Sequence, residues 1–136
     1  SKRARIKDGA LDLRRWITTI RRKQMRIYLS GPITSDPDYK EHFELFENYV
    51  KSIVNNDNVE IVNPAKFIGR YYKDWGNWII HDLKILKACD VLIMLPGYEN
   101  SIGASIEIQF AKGCAKNVFN LYEFKEWHDK TYRRHK

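Results

Sequence analysis

Two acidic residues stand where apolar ones would be expected. Between Trp75 and Ala88, the residues Trp75, Trp78, Ile79, Leu83 and Leu86 recur at helical spacing, and Asp82 falls inside their stripe. After Gly103 the pattern repeats: Ala104, Ile108 and Ala111 line one face, and Glu107 lies on it. Burying an unpaired carboxylate costs several kcal/mol, so a residue placed this way has a partner or a task. The structural alternative is a carboxylate satisfied by backbone amides or a lysine. Two acids converging on one cleft suit cleavage of a glycosidic bond. One attacks the anomeric carbon or stabilises an oxocarbenium-like transition state, and the other hydrogen-bonds or protonates the leaving group.

The neighbours of these acids fit a ligand. Gly103 lies one turn before Glu107 and, lacking a side chain, leaves room for close approach. Ser101 precedes the same helix, where free amides and the helix dipole attract anions; it is an N-cap, a phosphate contact, or both. Among the aromatic residues that could sandwich a flat ring (Tyr28, Trp75, Trp78, Tyr98), Trp75 and Tyr98 are the candidates for base stacking.

Other chemistries find less support. The four histidines (His42, His81, His128, His135) show no metal-ligand spacing, and neither a Walker A loop nor a G-x-G-x-x-G run occurs. No metal and no cofactor is expected. Cys89 and Cys114 form no disulfide framework; each ends an apolar helical stretch and is expected to act as a small hydrophobe. No apolar run approaches the roughly 20 residues of a membrane span, and the first residues lack a secretory pattern, so a cytoplasmic protein without membrane contact is expected.

The net charge of +7 is unevenly distributed. Residues 1–26 hold ten Lys or Arg against Asp8 and Asp12, whereas the remainder is nearly balanced. The chain therefore divides into a basic arm over 1–24, with a possible helix from Leu11 to Lys23, and a body over 25–136. Such an arm could contact the phosphates of nucleic acid or serve only as a solubilising extension.

The elements of the body must bring the two acids together. Strands are expected at Arg26–Ser30, Val59–Val62, Asp90–Leu95 and Asn117–Tyr122. Helices are expected at Tyr39–Val54, from Asp74 or Trp75 to Ala88, and at Gly103–Gly113, with a short one possible in the tail from Glu123. Strand and helix alternate, the pattern of a single-domain α/β fold with a Rossmann-like parallel sheet. In such sheets ligands bind outside the carboxyl ends of the strands, which places the loops after Ser30, Val62 and Leu95 on one rim.

These landmarks — IYLSGPIT (27–34), VNPA (62–65), W-x2-W-x3-D (75–82), CDVLIMLPGYENSIGASIE (89–107) and A-x-G (111–113) — resemble the nucleoside 2-deoxyribosyltransferase superfamily, in particular its small phage and bacterial branch. The resemblance runs from Met25 to about Leu121. It implies a flavodoxin-type fold, a homodimer or larger homo-oligomer, and a nucleoside or nucleotide substrate. By position, Glu107 matches the catalytic glutamate, Asp82 the acid near base and sugar, and Tyr28 an aromatic residue that orients the glutamate. Gly31 and Pro32 match the substrate loop. Ser101 departs from the base-exchanging transferases, which carry aspartate there, and matches the phosphate-contacting serine of 2′-deoxynucleoside 5′-monophosphate N-hydrolases. The resemblance thus implies an N-glycosidase acting on a nucleoside 5′-monophosphate. The alternatives are a base-exchanging transferase and a binding module for nucleotide or nucleic acid that performs no chemistry. The resemblance also implies a residue donated by a neighbouring subunit, and no position in 117–136 identifies itself for that role.

Overall fold

Among the described residues, four short runs form the strands β1 (Met25–Ser30), β2 (Val59–Val62), β3 (Val91–Met94) and β4 (Asn117–Asn120). Between and after them lie the helices α1 (Tyr39–Val54), α2 (Trp75–Lys87), α3 (Ile102–Gly113) and α4 (Leu121–Thr131). This computed structural model describes residues 24–55, 58–67 and 74–131. The basic arm and its expected helix lie outside the described residues, apart from Gln24.

The strands pair in parallel in the order β2-β1-β3-β4. Tyr28 is level with Val62 on one side and Leu92 on the other, so β1 and β3 occupy the centre. The chain steps from β1 outward to β2, then crosses back over β1 to reach β3. The loops leaving β1 and β3 therefore diverge, opening the crevice where open α/β sheets bind ligands.

Strand side chains alternate between two apolar layers. Ile27, Leu29, Val91 and Ile93 pack with Phe43 and Val50 of α1 and Phe124 of α4. Tyr28 and Leu92 point the other way, toward Leu86 of α2 and Ile108 and Ala111 of α3. Central strands covered on both faces account for the near-continuous apolar character of β3.

Local chemistry sets the boundaries. Asp74 caps α2, its side chain accepting from the Asn77 amide at 3.1 Å. The fourth strand is shorter than its hydrophobicity suggests and stops at Asn120. The Asn120 side chain accepts from the Glu123 amide at 2.7 Å, and the Glu123 carboxylate accepts from the Asn120 amide at 2.9 Å. This reciprocal capping box starts α4, so Leu121 and Tyr122 are helical rather than extended. The tail is a full three-turn helix, anchored by Phe124 against Phe119 and Trp127. Short 3-10 turns at Pro64–Lys66 and Tyr98–Asn100 interrupt stretches that read as loops. Cys89 is buried, as a small hydrophobe would be, but Cys114 is exposed because α3 ends just before it.

Phe124 is fully buried, so Phe124→Ala should destabilise the domain by about 3–5 kcal/mol. Equilibrium urea unfolding would measure this; a loss under 1 kcal/mol would show that α4 is an appendage and no part of the core.

Candidate active site

The site begins with the alternation of β1. Tyr28 and Ser30 lie two residues apart, so both side chains leave the sheet on the α2–α3 face. There they meet Glu107, in the second turn of α3. The Tyr28 hydroxyl donates to Glu107 Oε2 at 2.6 Å, and the Ser30 hydroxyl donates to Oε1 at 2.8 Å. All three side chains are buried. Each carboxylate oxygen thus has its own neutral donor, and among the described residues no cation pairs with it.

Asp82 approaches from α2 and is completely buried. Among the described residues neither of its oxygens has a hydrogen-bond partner, and His81 Nδ1 stands 3.6 Å from Oδ1, beyond hydrogen-bonding reach. The environment separates the two acids. Burial pushes Glu107 up to about 7, while the Tyr28 and Ser30 hydroxyls pull it back down. Burial and the nearby Glu107 charge push Asp82 further, to about 8, against a smaller opposing pull from Tyr28. The Tyr28 phenol is itself raised, by burial first and then by the charges of Glu107 and Asp82. When the pair holds one proton, that proton belongs on Asp82, leaving Glu107 as the anion. A neutral acid beside an ionised carboxylate is the division of labour that glycosidic cleavage requires.

A narrow cleft reaches Glu107 from the rim. Gly31, Thr34, Trp75, Trp78, Ser101 and Gly103 are among its walls. Gly31 is obligatory for packing: a Cβ there would stand 2.9 Å from the Leu95 Cβ. Ser101 caps α3, accepting from the Ala104 amide at 3.1 Å, and its hydroxyl borders the cleft beside the helix N-terminus. Trp75 is half-exposed at the edge, whereas Trp78 is buried and its indole N–H has no hydrogen-bond partner.

Of the residues singled out in the sequence, the structure brings together Glu107, Asp82 and Tyr28, with Gly31, Ser101, Gly103 and Trp75 around the cleft. Two fall elsewhere. Pro32 turns away from Glu107 into a separate depression and packs on Gly97, which adopts a positive φ of 89°. Tyr98 packs on the apolar layer that contains Tyr28 and Ile108 and does not line the cleft. Ser30 was missed, although its place two residues after Tyr28 puts it on the same face of β1.

The cleft at Glu107 holds only about 10 Å³, room for roughly one water. The depression beyond Pro32 is far larger, about 380 Å³, and is bordered by an Asp36–His42 pair at 2.6 Å. It contains neither buried carboxylate, so chemistry rather than size singles out the cleft at Glu107 as the candidate site. No group of His, Cys, Asp or Glu among the described residues is arranged to hold a metal.

The sequence model of a family described as a domain of unknown function (DUF4406) matches residues 25–120. No curated protein matches the sequence. Among solved structures, the fold is similar to that of a 2-desoxiribosyltransferase from Leishmania mexicana, with a TM-score of 0.53 and 21% identity. The similarity covers 71% of this chain and 63% of that one, so the chain spans less than two thirds of the transferase. At that identity the likeness establishes the fold, in agreement with the parallel sheet and its flanking helices.

The raised acids make stability depend on pH. Both folded values lie above those of free carboxyls, so between about pH 4.5 and 7 the folded chain keeps protons that the unfolded chain has released. The pair's contribution to stability is greatest below that window, falls as pH rises, and is lost above about 8. Asp82→Asn should therefore melt close to wild type at pH 5 and at least ~4 °C higher at pH 9. Thermal unfolding at the two pH values tests this; equal differences at both would show that Asp82 is not held neutral.

Proposed function

The chain belongs to the DUF4406 family, and from its paired buried acids we propose that it is an N-glycosidase that releases the base of a (deoxy)nucleoside 5′-monophosphate. The observation that carries the reading is Glu107, a buried carboxylate held by two hydroxyls near the buried Asp82 at the end of a cleft.

In this reading Glu107 attacks C1′ of the sugar. The bond to the base breaks, and a glycosyl ester forms on the glutamate. Asp82 gives its proton to the departing base. Water then attacks C1′, giving its proton to the Asp82 carboxylate, and the Glu107 carboxylate leaves as an anion. Gly103 leaves space for the sugar beside Glu107, and Trp75 at the mouth supplies a face for the base. Ser101 and the first amides of α3 hold the phosphate, where the helix dipole favours negative charge. Gly31 completes the substrate loop. Pro32 and Tyr98 support the loops on either side of the crevice. A second reading keeps the same ester and passes the sugar to another base; the fold likeness to a named 2-desoxiribosyltransferase favours it. Against it stands Ser101, because a serine at this helix N-terminus suits a phosphate better than it suits an incoming base. A second copy of the chain completing the cleft, and contact between the basic arm and nucleic acid, belong to the same proposal.

Incubating the protein with nucleosides and their 5′-monophosphates, with and without a free base, tests the reading. Free base and sugar phosphate should appear from monophosphates, and Glu107→Gln should abolish their formation in a folded protein. A base-exchanged nucleotide as the main product would replace hydrolysis with transfer; undiminished activity in Glu107→Gln would remove the nucleophile.

Ser101→Gly keeps an acceptable helix cap while removing the hydroxyl. It should raise KM for monophosphates about tenfold or more and leave nucleosides unaffected, as expected for one hydrogen bond to a charged group. The profile of kcat/KM against pH should be bell-shaped, with its maximum between about 7 and 8, where Glu107 is ionised and Asp82 protonated. A flat profile through that window would rule out the paired acids as its source.

A further inference from the structure

We infer that Ser30 is a positioning residue that acts mainly on the second half of the reaction, the breakdown of the ester on Glu107. The inference rests on the glycosidase reading and deepens it. Nothing in the residue types marks Ser30, but the geometry does: its hydroxyl donates to Oε1 at 2.8 Å while Tyr28 donates to Oε2 at 2.6 Å. The two donors come from one strand, at positions two apart, and that strand is paired on both sides. Ser30 is fully buried and Glu107 is its hydrogen-bonding partner.

A donor on a carboxylate has opposite effects in the two steps. In the first, Glu107 uses an oxygen lone pair to form the bond to C1′, and hydrogen bonds to the anion make it a weaker nucleophile. In the second, water attacks C1′, the C1′–O bond breaks, and its electron pair returns to Glu107. The water's proton passes to a base; Asp82, deprotonated in the first step, is available for it. Donors on the carboxylate stabilise the charge that returns, so they improve the leaving group. One oxygen is bonded to the sugar in the ester. The other is a carbonyl oxygen that can keep its hydroxyl donor throughout. The clamp thus helps breakdown where it hinders formation, and its loss should reveal the ester.

Ser30→Ala in the full chain should slow ester breakdown roughly 10- to 100-fold without slowing ester formation, the scale of one hydrogen bond to a charged group. Intact-mass spectrometry of the quenched variant should show the sugar–phosphate adduct on most molecules, and rapid mixing should show a burst of free base. The limb of the pH profile on which Glu107 ionises should move upward by about one unit. Ser30→Cys, with a weak donor of similar size, should recover part of the breakdown rate. Equal slowing of both steps with no adduct would reduce Ser30 to a packing residue and overturn the inference. The clamp also has a test that needs no substrate: carbon-13 titration of the Glu107 carboxyl in the free protein, assigned by Glu107→Gln, should shift upward in Ser30→Ala. An unchanged titration overturns the clamp. Absence of any turnover by wild type would instead retire the glycosidase reading, and with it the step-specific role.

Discussion

Two carboxyl groups buried in one another's field cannot both be charged at moderate cost, and the rest of the site follows from that constraint. Removing either from water raises its proton affinity, and the charge of one raises the other further. The donors break the symmetry. The Tyr28 and Ser30 hydroxyls both point at Glu107, and among the described residues neither oxygen of Asp82 receives a hydrogen bond. The anion therefore settles on α3 and the proton on α2. A lysine placed beside the pair would satisfy the charge more cheaply but would leave both acids ionised, with no acid to offer a leaving group. Neutral donors preserve the difference between the two.

That arrangement needs three elements held in fixed relation, and the sheet order supplies them. β1 lies between β2 and β3, so its even-numbered side chains emerge under the contact of α2 with α3. The same crossing that puts β3 beside β1 makes their loops diverge, so the carboxylates lie near the carboxyl edge of the sheet and a cleft can reach them. Gly31 is the joint: the chain must turn out of β1 directly against Leu95, and any side chain would push apart the two loops that frame the cleft. Fold and site therefore share this position, and a change there disturbs both.

Much of this was legible in the sequence because helical and strand periods show which residues share a face. Asp82 and Glu107 declared themselves by breaking apolar stripes, and α1 and β2 fall where periodicity places them. The parts that were not legible depend on partners distant in sequence or on polar pairing. Ser30 is an ordinary residue until Glu107, 77 positions away, is set against it. The start of α4 was hidden because apolar Leu121 and Tyr122 continue the strand pattern, while the deciding signal, the Asn120–Glu123 capping box, is polar. Tyr98 and Pro32 have residue types suited to a ligand, but loop geometry turned one into the core and the other into a neighbouring depression. Branch assignment, oligomeric state and the role of the basic arm depend on surfaces or segments that periodicity does not describe.

Among the described residues, two buried polar groups without hydrogen-bond partners gather beside the cleft. Trp78 and Asp82 lie one turn apart on α2, both buried, and neither the indole N–H nor the carboxyl finds a hydrogen bond. Each such group costs about 1–3 kcal/mol relative to a paired one, and a domain of this size has only a modest total stability to set against that cost. An apolar pair of similar shape would pack there without penalty. The larger depression beyond Pro32 has the opposite character, since its acid and its imidazole already satisfy each other. Unmet hydrogen-bonding capacity is therefore concentrated where space is least. Glu107 lies behind walls that leave room for about one water, with Trp78 among them. The site thus combines two buried acids already in place with a narrow approach, and Trp75, half-exposed at the mouth, is among its less packed walls.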